Sequence, residues 1–157
     1  MKRKLVSLLL FTLTVILAAF SGVGCQRGGK TTAKLEASTE DMIVMSIASS
    51  DGKANAFNAL QSLQEQGVIT FEYQASTYGA YVTSINGKAE KIISSTLTSS
   101  EGYSWSFYTS DREYAYDSPT VTVEGRVCGL SSLGASSLTV KEGELYIWVY
   151  EHYNYSW

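Results

Sequence analysis

The sequence predicts a small α+β domain, a mostly antiparallel sheet packed on one helix. Three observations predict it. Asn55–Gln66 places Ala56, Phe57, Leu60 and Leu63 on one face at helical spacing. After Gly67 the apolar period changes from 3.6 to two and stays there nearly to the end of the chain. Turn signals at Asp51-Gly52, Asn86-Gly87, Ser110-Asp111, Asp117-Ser118-Pro119 and Lys141-Glu142-Gly143-Glu144 cut that stretch into short strands.

In chain order, Lys2, Arg3 and Lys4 form a positive start, and Leu5–Phe20 is almost wholly apolar. The small residues Ser21-Gly22-Val23-Gly24 then precede Cys25. This is an export signal rather than folded structure. The small residues before Cys25 resemble a bacterial lipobox, with Gly22 where that motif usually has Leu. Cleavage there leaves Cys25 lipidated. An ordinary cleaved signal is one alternative. An uncleaved anchor over Leu5–Gly24 is another, since a spanning helix needs roughly 20 apolar residues. All three place the rest of the chain outside the cytoplasmic membrane, and the first places it at the cell surface on a lipid anchor. The expected organisation is a signal over 1–24, a flexible tether over 25–39 and one domain over 40–157. The tether rests on the polar, glycine-bearing run Gln26–Thr39.

Removing residues 1–24 leaves 133 residues, with 9 basic and 15 acidic side chains and a net charge of −6. That charge argues against nucleic acid and against an electrostatic grip on anionic lipid. The length suits one domain with its own core. With Cys25 lipidated, Cys128 stands alone, so the fold rests on apolar packing without an internal disulfide.

Met42–Ile47 is the first expected strand. The helix follows, with Asn55 as N-cap and Gly67 at the C-terminal left-handed position. Such a short helix is marginal alone and needs a sheet beneath it. Val68, Thr70–Tyr73, Tyr81–Ile85, Ser104–Tyr108, Glu113–Tyr116, Thr120–Val127 and Leu145–Tyr153 are the later strand candidates. Ser94–Ser100 and Ser131–Ser137 read as loops.

Catalytic and metal signatures are sparse. His152, the single histidine, lies at what reads as a frayed strand end. One histidine and one spare cysteine do not supply the four ligands of a zinc site. No phosphate-cradling glycine pattern and no marked carboxylate pair is present. The chain is therefore expected to be a binding protein, without a catalytic site, resident cofactor or metal.

Aromatic residues stand out instead, with 11 tyrosines and 3 tryptophans. In the last strand Leu145, Ile147 and Val149 point one way, and Tyr146, Trp148 and Tyr150 the other. The aliphatic face suits the core under the helix. The aromatic face is either a second packed layer or an open platform of the kind found at binding surfaces.

The segment TFEYQASTYGAYVTSINGKAE, taken with its surroundings, resembles the C-terminal domain of the transcobalamin and intrinsic-factor proteins. The resemblance runs from about Asp41 to Tyr150. It includes Met42–Gly52, Ala59-Leu60 and Gly67, Phe71-Glu72-Tyr73, Gly79, Tyr81–Gly87, Ser104–Tyr108, Gly134–Glu144 and the last strand. It implies a β-grasp-like fold and, from the animal members, a domain that caps one face of cobalamin. By that resemblance Tyr78, Gly79, Ala80 and Tyr81, with Trp105, Phe107 and Tyr108, face a corrin ring. Gly79 then admits backbone to a flat ligand, and Asn86-Gly87 is the structural turn. The family's larger helical domain has no counterpart here. Residues between Trp105 and Gly134, including Tyr114–Leu130, are additional. The implied function is capture of cobalamin or a related corrinoid beside a membrane importer, the tether raising local concentration. The competing expectation is a surface protein- or glycan-interaction module using the aromatic face.

Overall fold

The computed structural model describes residues 28–157. The expected signal segment and Cys25 lie outside the described residues. Ten strands and one helix follow in order: β1 Thr31–Ser38, β2 Met42–Ser50, α1 Ala56–Glu65, β3 Phe71–Ser76, β4 Gly79–Ile85, β5 Lys88–Ala89, β6 Lys91–Ser95, β7 Ser99–Thr109, β8 Ala115–Val123, β9 Arg126–Ser131 and β10 Leu145–Ser156. Every strand pairing is antiparallel. The molecule is therefore mainly β, with a single short helix among the described residues, rather than a balanced α+β domain. Among those residues no helix is long and apolar enough to cross a membrane.

The helix forms where its spacing requires. Asn55 caps it, and the Asn58 side chain accepts from the Asn55 backbone N–H, so two half-buried backbone donors are satisfied reciprocally. The Ala56 and Phe57 N–H groups donate to Leu138 and Ala135 carbonyls, which ties the helix start to the loop before β10. Gly67 follows at φ +72°, a left-handed conformation suited to glycine.

Strands β1, β2, β10, β7, β9 and β8 make one sheet in that order, with β6 also pairing β7. Strands β3, β4 and β5 make a smaller sheet. One core lies between α1, the small sheet and one face of the large sheet. There Ala56, Phe57, Leu60 and Leu63 meet Ile43, Met45, Val82, Ile85, Trp105, Phe107, Tyr146 and Trp148. A second core on the opposite face joins Val44, Tyr108, Val123, Cys128, Leu145 and Ile147.

Several expectations change. The tether assigned to 25–39 is in its second half strand β1, an edge strand paired with β2. Ala33 is buried and its N–H donates to Ser62 Oγ on the helix. Alanine and a single leucine give too faint an alternation to read as a strand, but they let the strand sit close under α1. The faces of β10 are reversed. Tyr146 and Trp148 pack under the helix, while Leu145 and Ile147 face β8 and β9. Large rings fill the space between helix and sheet, and Phe107 packs against Trp148 at 4.9 Å. The Ser94–Ser100 loop is a hairpin, with β6 ending at Ser95 and β7 starting at Ser99. Thr120–Val127 is two strands, turning at Glu124 and Gly125 with φ of 50° and 76°. His152 lies inside β10, not at a frayed end.

Candidate binding surface

The residues expected to meet a ligand divide among three places. Tyr78 is 94% exposed at the tip of the β3–β4 turn. Gly79 beside it has φ +112°, and a Cβ there would stand 2.9 Å from Ser136 Cβ. Ala80 N–H donates to Ser136 Oγ at 2.9 Å. The bare backbone at Gly79 thus meets the Ser136 loop, and the turn geometry alone accounts for the glycine.

Trp105, Phe107 and Tyr108 are buried, at 4%, 8% and 1% exposure. Trp105 and Phe107 belong to the helix-side core, and the indole N–H of Trp105 donates to Lys88 O at 2.8 Å. Tyr150 Oη donates to Ala89 O at 2.9 Å. These two aromatic side chains fasten β5, and with it the small sheet, to the large one. Tyr108 belongs to the opposite core, as strand alternation requires. Its hydroxyl donates to both carboxylate oxygens of Glu151, at 2.9 and 3.0 Å. Burial and then Glu151 push its pKa far up. Three of the seven expected residues are therefore core, and they lie on two faces of one sheet.

Tyr81 remains half-exposed on β4, and its hydroxyl donates to Glu90 at 2.9 Å. Burial, then Glu90, pushes its pKa up to about 12, with Ser104 and Tyr153 as further polar neighbours. Tyr81 is thereby brought to a surface that the sequence did not single out.

That surface is the far end of the large sheet. Strand β2 pairs β10 only over Leu145–Val149. Beyond it β6, the first half of β7 and the last half of β10 project as a three-stranded blade. Register puts Ile92, Gly102 and Tyr153 abreast, and Ser100 abreast of Tyr155. Tyr153 leans over Gly102, where a Cβ would fall 2.7 Å from the phenol oxygen and 2.3 Å from Lys91 O. Tyr153 and Tyr155 stack at 5.3 Å with planes 17° apart. Trp157 continues the alternation and is pinned to the β6–β7 turn by its indole N–H on Leu97 O, at 3.0 Å.

Exposure concentrates here. Ile92 is 64% exposed, Leu97 95%, Tyr155 62% and Trp157 70%. Register leaves this face with Glu151 and with no lysine or arginine from β6, β7 or β10, since Lys91 lies abreast of Tyr103 on the other side. That other side carries Tyr103 stacked on Tyr150 at 5.7 Å, and His152 bonded to Glu101 at 3.0 Å.

The signal for the blade was present in the chain. Tyr146, Trp148 and Tyr150 occupy even positions, whereas Tyr153, Tyr155 and Trp157 occupy odd ones. The switch at Glu151-His152 transfers the rings to the opposite face.

A polar groove of about 730 Å³ lies between the β1–β2 end and α1, lined by residues such as Thr32, Ser49, Asp51, Asn58 and Gln61. Asp51 already accepts backbone N–H bonds from Lys30 and Lys53, which hold its carboxyl below the usual range. None of the expected site residues lines the groove. Among the described residues no group of three metal-ligating side chains forms. Cys128 is a buried thiol whose pKa burial raises, the setting of an inert cysteine.

No protein-family model matches the chain, and no curated protein matches it.

Proposed function

We propose that this chain is an exported, surface-tethered binding module without catalytic activity, whose ligand-facing surface is the aromatic face of the blade. The observation that carries the reading is the contrast between its aromatic sets. The rings of Trp105, Phe107, Tyr108, Tyr146 and Trp148 are buried. Those of Tyr155 and Trp157 are exposed on a blade whose β6 edge pairs only with β7 among the described residues. Exposed rings grouped on one rigid strand offer large contact area at low entropic cost. The export signal, lipidation at Cys25 and the β-grasp-like arrangement implied by the resemblance belong to the same proposal. They give a domain held at the outer face of the membrane.

Corrinoid capture needs a concave aromatic site at Tyr78, Tyr81 and Trp105. The indole of Trp105 is buried and its N–H is spent on Lys88. A flat, open strip on the blade suits an extended ligand better than an enclosed one. The test is amide chemical-shift mapping of a soluble fragment over Gly28–Trp157, titrated separately with cyanocobalamin and with chitohexaose. The reading expects shifts at Ile92, Gly102, Tyr153 and Tyr155. Cyanocobalamin shifts confined to Tyr78–Tyr81 and the Ser136 loop would restore the corrinoid site and displace this one.

A further inference from the structure

We infer that the domain stands on its own membrane by the end of the large sheet where the chain enters, with Lys30 and Lys53 at the lipid headgroups, and that the blade projects away from that membrane. The inference rests on the surface-tethered reading. It adds the surface that meets the bilayer and the side from which a ligand reaches the blade.

The free tether is far shorter than the run 25–39. Strand β1 begins at Thr31, and the residues just before it are already held. Lys30 N–H donates to Asp51 Oδ2 at 2.7 Å, and Lys30 O accepts from Asp51 N–H at 3.0 Å. A Cβ on Gly29 would stand 2.2 Å from Ala54 N, and one on Gly28 2.3 Å from Asn58 Nδ2. The chain is therefore pressed against the β2–α1 turn and the start of the helix, an approach that glycine permits. Three residue steps separate Gly28 from Cys25, a span of at most about 11 Å. A lipidated Cys25 thus holds this end of the domain at the headgroups.

Strand pairing then fixes where the blade lies. Thr31 is abreast of Ser50, so the chain enters at the C-terminal end of β2. Strand β10 pairs with β2 antiparallel, with Val149 abreast of Met42 at the other end, and runs on past it to Ser156. Ser50 to Met42 is eight residue steps, and Val149 to Ser156 is seven. At about 3.3 Å per step, the entry point and the blade tip stand about 50 Å apart. The short tether brings the tip back to the bilayer only if the molecule lies on its side.

Charge opposes that posture. Lys30 and Lys53 are exposed and form no ion pair among the described residues. Toward the blade, Lys88 is spent on Glu40 and Asp41. Glu90 and Glu151 there accept from tyrosine hydroxyls rather than from a cation. An anionic headgroup layer attracts the entry end and repels the blade end. The lipid supplies the affinity, and the lysines set the orientation. A ligand of the blade then arrives from the space beyond the membrane rather than from the bilayer.

The test is reconstitution of the full lipidated chain into vesicles of phosphatidylcholine and phosphatidylglycerol that carry a nitroxide on the headgroup, which quenches nearby tryptophan. Wild type reports Trp157, since Trp105 and Trp148 are buried. Lys53→Trp combined with Trp157→Phe reports the entry end, and circular dichroism checks its fold. The expected result is that the exposed tryptophan of the double variant loses most of its emission, while Trp157 keeps its own. Mass spectrometry of the Cys25 peptide separates two failures. An acylated chain whose Trp157 is quenched as strongly as the tryptophan at position 53 lies on its side, which overturns the inference and leaves the tether in place. An unmodified Cys25, or flotation with the vesicles that survives Cys25→Ala, overturns the lipid anchor and the inference with it.

Discussion

Trp105 shows how a side chain suited to a ligand surface serves the fold instead. Its ring is buried and its N–H holds the carbonyl of Lys88. Trp105→Phe keeps an aromatic ring but removes the N–H bond to that carbonyl, a loss of about 0.5–1.5 kcal/mol. Urea denaturation should register the loss, and ligand affinity at the blade should not change. Tyr81 behaves differently because its hydroxyl gives its proton to Glu90 and is partly buried. Its folded pKa, about 12, lies above the ordinary value of 10.0. The stabilisation is therefore complete below the unfolded pKa and is lost as pH rises through the folded one. Tyr146 also rises to about 12, chiefly through burial. Tyrosinate absorbance should thus show a late-titrating group of tyrosines, and Tyr81→Phe should remove one member of it. A titration in which Tyr81→Phe leaves the late group intact would contradict this placement of Tyr81.

At the scale of the element, α1 is held by its apolar face and by its cap. Leu60→Ala removes a fully buried side chain and should cost about 2–5 kcal/mol. Asn55→Ala should cost about 0.5–2 kcal/mol, because it removes the cap. The Asn55 amide bond to Ser136 O is lost with it. Both are read from thermal or denaturant melts. Helix, cap and closing glycine were legible in the sequence because 3.6-residue spacing, an Asn cap and Gly67 agree with one another. Strand β1 was not, because Ala33 and Leu35 bury too little to stand out from a polar run. The Glu124-Gly125 turn was hidden for a related reason, since glutamate rarely takes the left-handed position that asparagine tolerates. The candidate site was partly legible. Tyr81 and the rings of β10 stand out in the sequence as aromatic residues, but the sequence places Tyr81 on a corrin-facing edge and none of the β10 rings in its expected site. Their division between core and surface depends on how far β2 extends along β10, and pairing across the sheet leaves no local mark in the chain.

On the scale of the whole molecule, the large sheet does two jobs along its length. Near β2 both faces of β10 are covered, by α1 and the small sheet on one side and by β8 and β9 on the other. Past Val149 the pairing with β2 ends, and beyond Tyr150, which still meets β5, the same strand becomes the blade. The folded unit begins at or before Thr31, so a fragment starting at Glu40 should lose the β1 edge and melt far below one starting at Gly28. Equal melting temperatures would remove β1 from the folding unit. The blade gives a direct optical reporter, because Trp105 and Trp148 are each 4% exposed and Trp157 is 70% exposed. Iodide quenching of tryptophan emission should therefore report Trp157 almost alone and vanish in Trp157→Phe. The measurement that tests the central claim is that quenching with and without saturating chitohexaose. The account predicts that the sugar shields Trp157 and lowers the quenchable fraction. A saturating sugar that leaves Trp157 as open to iodide as before would contradict it.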